Sequence, residues 1–172
     1  KIIIRNGQEL GLNRDEIVKI PDSIPLMLTI EIRGADYLFT YRKNTLKEFV
    51  NGKFDRSIKQ LCTEFIGTRP NVYFRLNPEM EVPTKLYPWQ GQLESYIKAF
   101  RYFSVLCKNL APQIKQVWAP AGYPGTLDFY PGDDVIDAVS VSVKSESEML
   151  LNVYPKDYPL EYDIRRRLHR LR

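Results

Sequence analysis

A chain of 172 residues, 44% apolar and 27% charged, has material for one good core and not the composition of a disordered segment. No apolar run approaches the roughly 20 residues of a spanning helix, so no membrane-spanning segment is expected. The formal charge of +4 rests on residues 165–172, which hold five of the 25 basic residues; the aromatic residues are spread along the chain rather than threaded through a basic patch, so nucleic acid is not an expected partner.

Residues 1–5 form a short apolar strand candidate, and residues 13–20 suit a short helix with Asn13 as cap and Glu16 three positions on. The chain starts at Lys1 rather than Met and reads as a trimmed piece, with its compartment undetermined. Residues 25–32 are nearly continuously apolar, as in a strand buried on both faces of a parallel sheet. Asn44 or Thr45 can cap a helical region to about Ile66, broken near Asn51-Gly52. Val72, Phe74 and Leu76 then alternate with Tyr73 and Arg75, the period of a strand. A Pro-rich loop follows, and residues 91–109 form the best-defined helix, with Leu93, Tyr96, Ile97, Phe100, Phe103 and Cys107 on one face. Residues 114–119 and 135–143 read as strands. The basic tail from Pro159 to Leu171 reads as a solvated amphipathic helix.

Cys62 and Cys107 each fall on the apolar stripe of a helix and read as buried thiols, not as a disulfide framework or a metal site. His169, the one histidine, lies in the tail, which argues against Ser-His-Asp or Cys-His catalysis and against a multi-histidine metal site. Asp133 and Asp134 in a Pro-Gly turn read as turn formers, so neither a metal nor a cofactor is expected. The alternation of strand and helix, without a G-x-G-x-x-G turn, favours a single α/β domain over residues 1–172. It would be either a (β/α)8-type barrel present in part or an open sheet, since about five strands are found where a barrel needs eight.

Pro78 ends the third strand because it has no amide hydrogen to donate and restricts the residue before it. Arg75, Asn77 and Glu79 are thereby delivered to a carboxyl end, where barrel enzymes keep their acids.

Four segments in order resemble family 26 of the glycoside hydrolases, the retaining β-mannanases. They are Asn51-Gly-Lys-Phe-Asp55, Tyr73-Phe-Arg75 with Glu79-Met80, Trp89-Gln-Gly91 with Gln116-Val-Trp118, and Tyr130-Pro-Gly-Asp-Asp-Val-Ile-Asp137. The resemblance implies a (β/α)8 barrel, an extracellular or periplasmic setting, a β-linked polysaccharide or oligosaccharide as partner, and Glu79 as general acid/base. Arg75 and Asn77 would orient acid and substrate. Trp118, Trp89, Tyr87, Tyr123 and Tyr130 are the candidate sugar platforms. Where the family has a histidine before the acid, this chain has Pro78, and the family nucleophile belongs to a strand later than any found here. Glu31 and Glu146 are the alternative carboxylates near strand ends. A catalytically inactive carbohydrate-binding relative fits the same residues, and an α/β domain unrelated to sugars remains a third reading.

Overall fold

The computed structural model describes residues 1–5, 19–34, 44–65, 69–84, 86–142 and 160–171. The apolar runs become five strands: β1 (Ile2–Arg5), β2 (Leu26–Arg33), β3 (Val72–Leu76), β4 (Lys115–Trp118) and β5 (Ala138–Val139). They form one parallel sheet in the order β1-β2-β3-β4-β5. Each strand lies beside its predecessor in sequence, so the order never reverses as it does at the switch point of a doubly wound sheet. The expected α/β class is observed. Among the described residues the sheet is open, with β1 and β5 as its outer strands.

Helix α1 (Thr45–Val50) is separated from α2 (Asp55–Gln60) by a turn in which Gly52 takes a φ of 82°, as the Asn51-Gly52 pair suggested. A π-helical turn, Leu61–Phe65, extends α2. Helix α3 (Leu93–Leu110) buries Tyr96, Phe100, Phe103 and Cys107 at spacings of three and four, one stripe of a 3.6-residue period. It stops at Ala111, because Pro112 can neither donate to the helix nor let its predecessor stay helical. No helix among the described residues is long and apolar enough to cross a membrane.

Register decides which side chains share a face. Ile2, Ile4, Leu28, Ile30, Ile32, Phe74 and Leu76 point to one side and are buried with Leu46, Phe49, Ile58, Phe100 and Phe103 of the helices. The Phe103 ring lies 6.0 Å from Phe74 and 6.3 Å from Phe49, which locks α3 to β3 and α1. Burying each such ring contributes about 1.5–3 kcal/mol. The opposite face carries Arg5, Thr29, Glu31, Arg33, Tyr73 and Arg75, and Met27 at its lower end is half exposed. Strand β2 is therefore not apolar-packed on both sides as expected; its first half alternates and its second half is buried.

Two further expectations differ. Of the strand expected over 135–143, Ala138–Val139 is the part that pairs in the sheet among the described residues, 135–142, because Val135 closes a short 3-10 turn, Asp133–Val135, beneath α3, where Ser104 Oγ donates to its carbonyl. The tail helix, α4 (Leu160–His169), is not a solvated surface throughout. Its Asp163 and Arg167 are buried, and Arg167 Nε donates to Asp163 Oδ2 at 2.6 Å. Hydrogen bonds from Arg167 and Arg166 outweigh the burial that would raise the Asp163 carboxyl, and hold it below the usual carboxylate range. Most of the expected helix over 13–20, and Glu146, lie outside the described residues.

Candidate active site at the carboxyl ends of the strands

The exit from β3 holds two non-glycine residues in the left-handed region. Asn77 and Glu79, on either side of Pro78, have φ values of 42° and 59°. Asparagine tolerates the left-handed region, whereas glutamate is uncommon there. What holds them is a set of bonds to both neighbouring strands. Asn77 N–H donates to the Ile30 carbonyl at 2.8 Å, and Asn77 Oδ1 accepts the Ile32 N–H at 2.9 Å, tying the exit to β2. On the other side, Glu79 N–H donates to the Ala119 carbonyl at 2.8 Å, just past β4.

The loop that follows supports the same residue from behind. Trp89 Nε1–H donates to the Pro78 carbonyl at 2.8 Å and Gln90 Nε2–H to the Glu79 carbonyl at 3.3 Å. Gln90, itself buried, also accepts from Leu86 N–H and Tyr87 N–H through Oε1, so one side-chain amide sets the loop's shape. Glu79 is left half-buried at a strand tip, as expected, with its backbone satisfied. No donor to its carboxylate is found among the described residues.

Glu81, two residues on, is a buried acid that the sequence reading missed. Its Oε1 accepts Gly122 N–H at 2.7 Å, Tyr123 N–H at 3.1 Å and the Thr126 hydroxyl at 3.0 Å. Its Oε2 is buried and unpartnered among the described residues, as is the Tyr96 hydroxyl. Burial, and then the Glu81 charge, push the Tyr96 hydroxyl well above its ordinary pKa, so it stays neutral. From the far side, Arg167 of α4 and Arg170 just past its end donate to the Ala121 and Gly122 carbonyls. The post-β4 loop is thus gripped between the post-β3 loop and α4. A charged residue between apolar Met80 and Val82 was the signal that could have found Glu81.

The other expected site residues divide. Arg75 lies half-buried on the polar face, its Nε donating to Thr29 Oγ1 at 3.1 Å across to β2. Asn77 is fully buried and spends its carbonyl oxygen on Ile32, so it shapes the site rather than offering that oxygen to a substrate. Trp118 and Trp89 are each 1% exposed and present no ring face to a sugar, contrary to expectation. Trp118 shares the face of Gln116 and Phe74, the side covered by helices. Trp89 stacks on Tyr87 at 4.8 Å and 4°. Tyr87, Tyr123 and Tyr130 are the half-exposed rings. Arg33 lies 4.9 Å from the Tyr87 ring centre. Tyr130 packs edge-on against Trp118 at 5.1 Å and donates its hydroxyl to Asp133, which raises the tyrosine's pKa.

Glu31, the alternative carboxylate on β2, is buried and paired with both Lys1 and Arg33. Among the described residues no three His, Cys, Asp or Glu side chains gather as a metal site. A surface hollow lined by Arg56, Lys59, Gln60 and Thr63 lies on α2 and its π turn, in the helical layer away from the strand ends. No family model matches the chain, and no curated protein is significantly similar to it.

Proposed function

We propose that this chain is a glycoside-hydrolase-like domain of the family 26 type, built on a (β/α)8 scaffold, that acts on a β-linked polysaccharide with Glu79 as general acid/base. The observation that carries the reading is the left-handed Glu79, held just past the carboxyl end of β3 by its own N–H bond to the Ala119 carbonyl beyond β4 and by the hydrogen bonds of neighbouring Asn77 to Ile30 and Ile32 of β2. An uncommon backbone conformation at a strand tip is the kind of strain that persists where function requires it. The sequential parallel order supports it, because a singly wound barrel has that order and its chemistry sits at the carboxyl ends.

A retaining hydrolase needs an acid and a nucleophilic carboxylate roughly 5–5.5 Å apart. Glu79 would protonate the departing oxygen while the second carboxylate, which the resemblance puts on a strand later than β5, attacks the anomeric carbon; Glu79 would then take a proton from the water that displaces that carboxylate and releases the sugar. Arg75 and the half-exposed Tyr123 and Tyr130 bind the chain. A second reading, carbohydrate binding without cleavage, is favoured by the pairing of Glu31 with Lys1 and Arg33, which leaves that carboxylate engaged rather than free to attack.

The test is hydrolysis of β-mannan oligosaccharides by the full chain and by Glu79→Gln, with binding measured by calorimetry. Loss of an acid/base group lowers turnover by about 10²–10⁴-fold and leaves affinity nearly unchanged. Equal inertness of both proteins with preserved binding, in a protein long enough to carry the later strand and its carboxylate, supports the second reading. Neither turnover nor binding on a panel of β-linked glucans, mannans and xylans rejects both.

A further inference from the structure

The chain has two cysteines, and they meet. Cys62 sits in the π-helical turn behind α2 and Cys107 near the end of α3, 45 residues apart in sequence. Both side chains are fully buried, and their sulfurs are 3.4 Å apart. The contact follows from packing. Ile58, Leu61 and Cys62 form the inward stripe of the α2 segment, and α3 presents Phe103 and Cys107 to the same core. With no third cysteine in the chain, only one intramolecular pairing exists.

We propose that Cys62 and Cys107 are a disulfide site, closing to a bond when the protein folds in the presence of a disulfide oxidant and tying the α2 segment to α3. A disulfide holds its sulfurs about 2.05 Å apart, so the gap to be closed is on the order of 1.4 Å, within reach of small side-chain rotations at both ends. The chemistry is two successive exchanges. One cysteine thiolate attacks a sulfur of oxidised glutathione and releases one glutathione thiol. The other cysteine then displaces the second glutathione, forming the Cys62–Cys107 bond. Two electrons pass to the oxidant, and both thiol protons leave the protein.

Burial, the mutual hydrogen bond and the neighbouring sulfur all push the Cys107 thiol above its ordinary pKa. Since the thiolate is the nucleophile, exchange in the closed core is slow. The bond therefore forms during folding and, once formed, resists reductants until the protein unfolds. Tying positions 62 and 107 shortens the reach of the unfolded chain, which is where most of the stabilisation arises. The site is independent of the proposed glycosidic chemistry, because it lies in the helical layer rather than at the strand ends.

The experiment is to refold the full chain in a mixture of reduced and oxidised glutathione, denature it, alkylate it and measure the intact mass and the protease-released peptides. The expected result is a monomer with no alkylated cysteine, lighter than the reduced chain by about two hydrogen masses, and a linked Cys62–Cys107 peptide. Reduction should lower its Tm by on the order of 10 °C. Two alkylated thiols, a glutathione adduct on either cysteine, or a disulfide-linked dimer overturns the proposal. The wild-type chain supplies the answer, so it does not depend on a core variant folding.

Discussion

Replacing Glu81 separates a buried acid that organises the site from one that merely fills space. In Glu81→Ala the buried Gly122 amide and the part-buried Tyr123 amide lose their acceptor. Each orphaned buried donor costs about 1–3 kcal/mol, so the pair costs about 4 kcal/mol at the centre of the range. Two effects offset part of this. The Thr126 hydroxyl has a single hydrogen and already lies 2.5 Å from the Tyr123 carbonyl, so it can turn there. Removing the unpartnered Oε2 also relieves a buried charge of an uncompensated oxygen. The expected net loss is about 3 kcal/mol. Glu81→Gln keeps the accepting oxygen and loses only the charge assistance, at about 1 kcal/mol. Urea denaturation gives the comparison: both variants should keep the wild-type m value while their midpoints fall, alanine well below glutamine. Equal midpoints for the two variants, or an alanine loss under about 1 kcal/mol, would mean that the loop amides find other acceptors and that Glu81 does not hold the loop.

Two other perturbations test neighbouring contacts. Asn77→Ala strips the acceptor from the buried Ile32 N–H and puts alanine at a φ of 42°; less the relief of the unpartnered Nδ2, the cost should be about 2 kcal/mol in urea titrations, with Asn77→Gly less affected because glycine accepts that conformation. Tyr102 donates to Asp55 at 2.7 Å, and burial first, then that bond and the aspartate charge, raise its pKa to about 12. A raised pKa means this contribution is full below pH 10 and is lost as pH climbs toward about 12. The urea midpoint of wild type should therefore fall more steeply over that window than that of Tyr102→Phe, and parallel curves would contradict the assignment.

Periodicity and punctuation made much of this protein legible from its sequence. The alternation of Val72, Phe74 and Leu76 fixed the inward face of β3, the three-and-four spacing through Tyr96, Phe100, Phe103 and Cys107 fixed the inward face of α3, and Pro78 placed Glu79 beyond a strand end. These are local properties, because backbone geometry repeats every two or 3.6 residues and proline acts on its own peptide. What lies across an interface is not local, and there only the tertiary structure decided. It turned Trp118 toward the helices, gave Glu81 the amides of a loop some 40 residues away, docked the basic tail through Arg167 and Arg170, and brought Cys62 to Cys107. Period tells a residue which way to face, and the sheet register, set by the whole core at once, chooses what it meets.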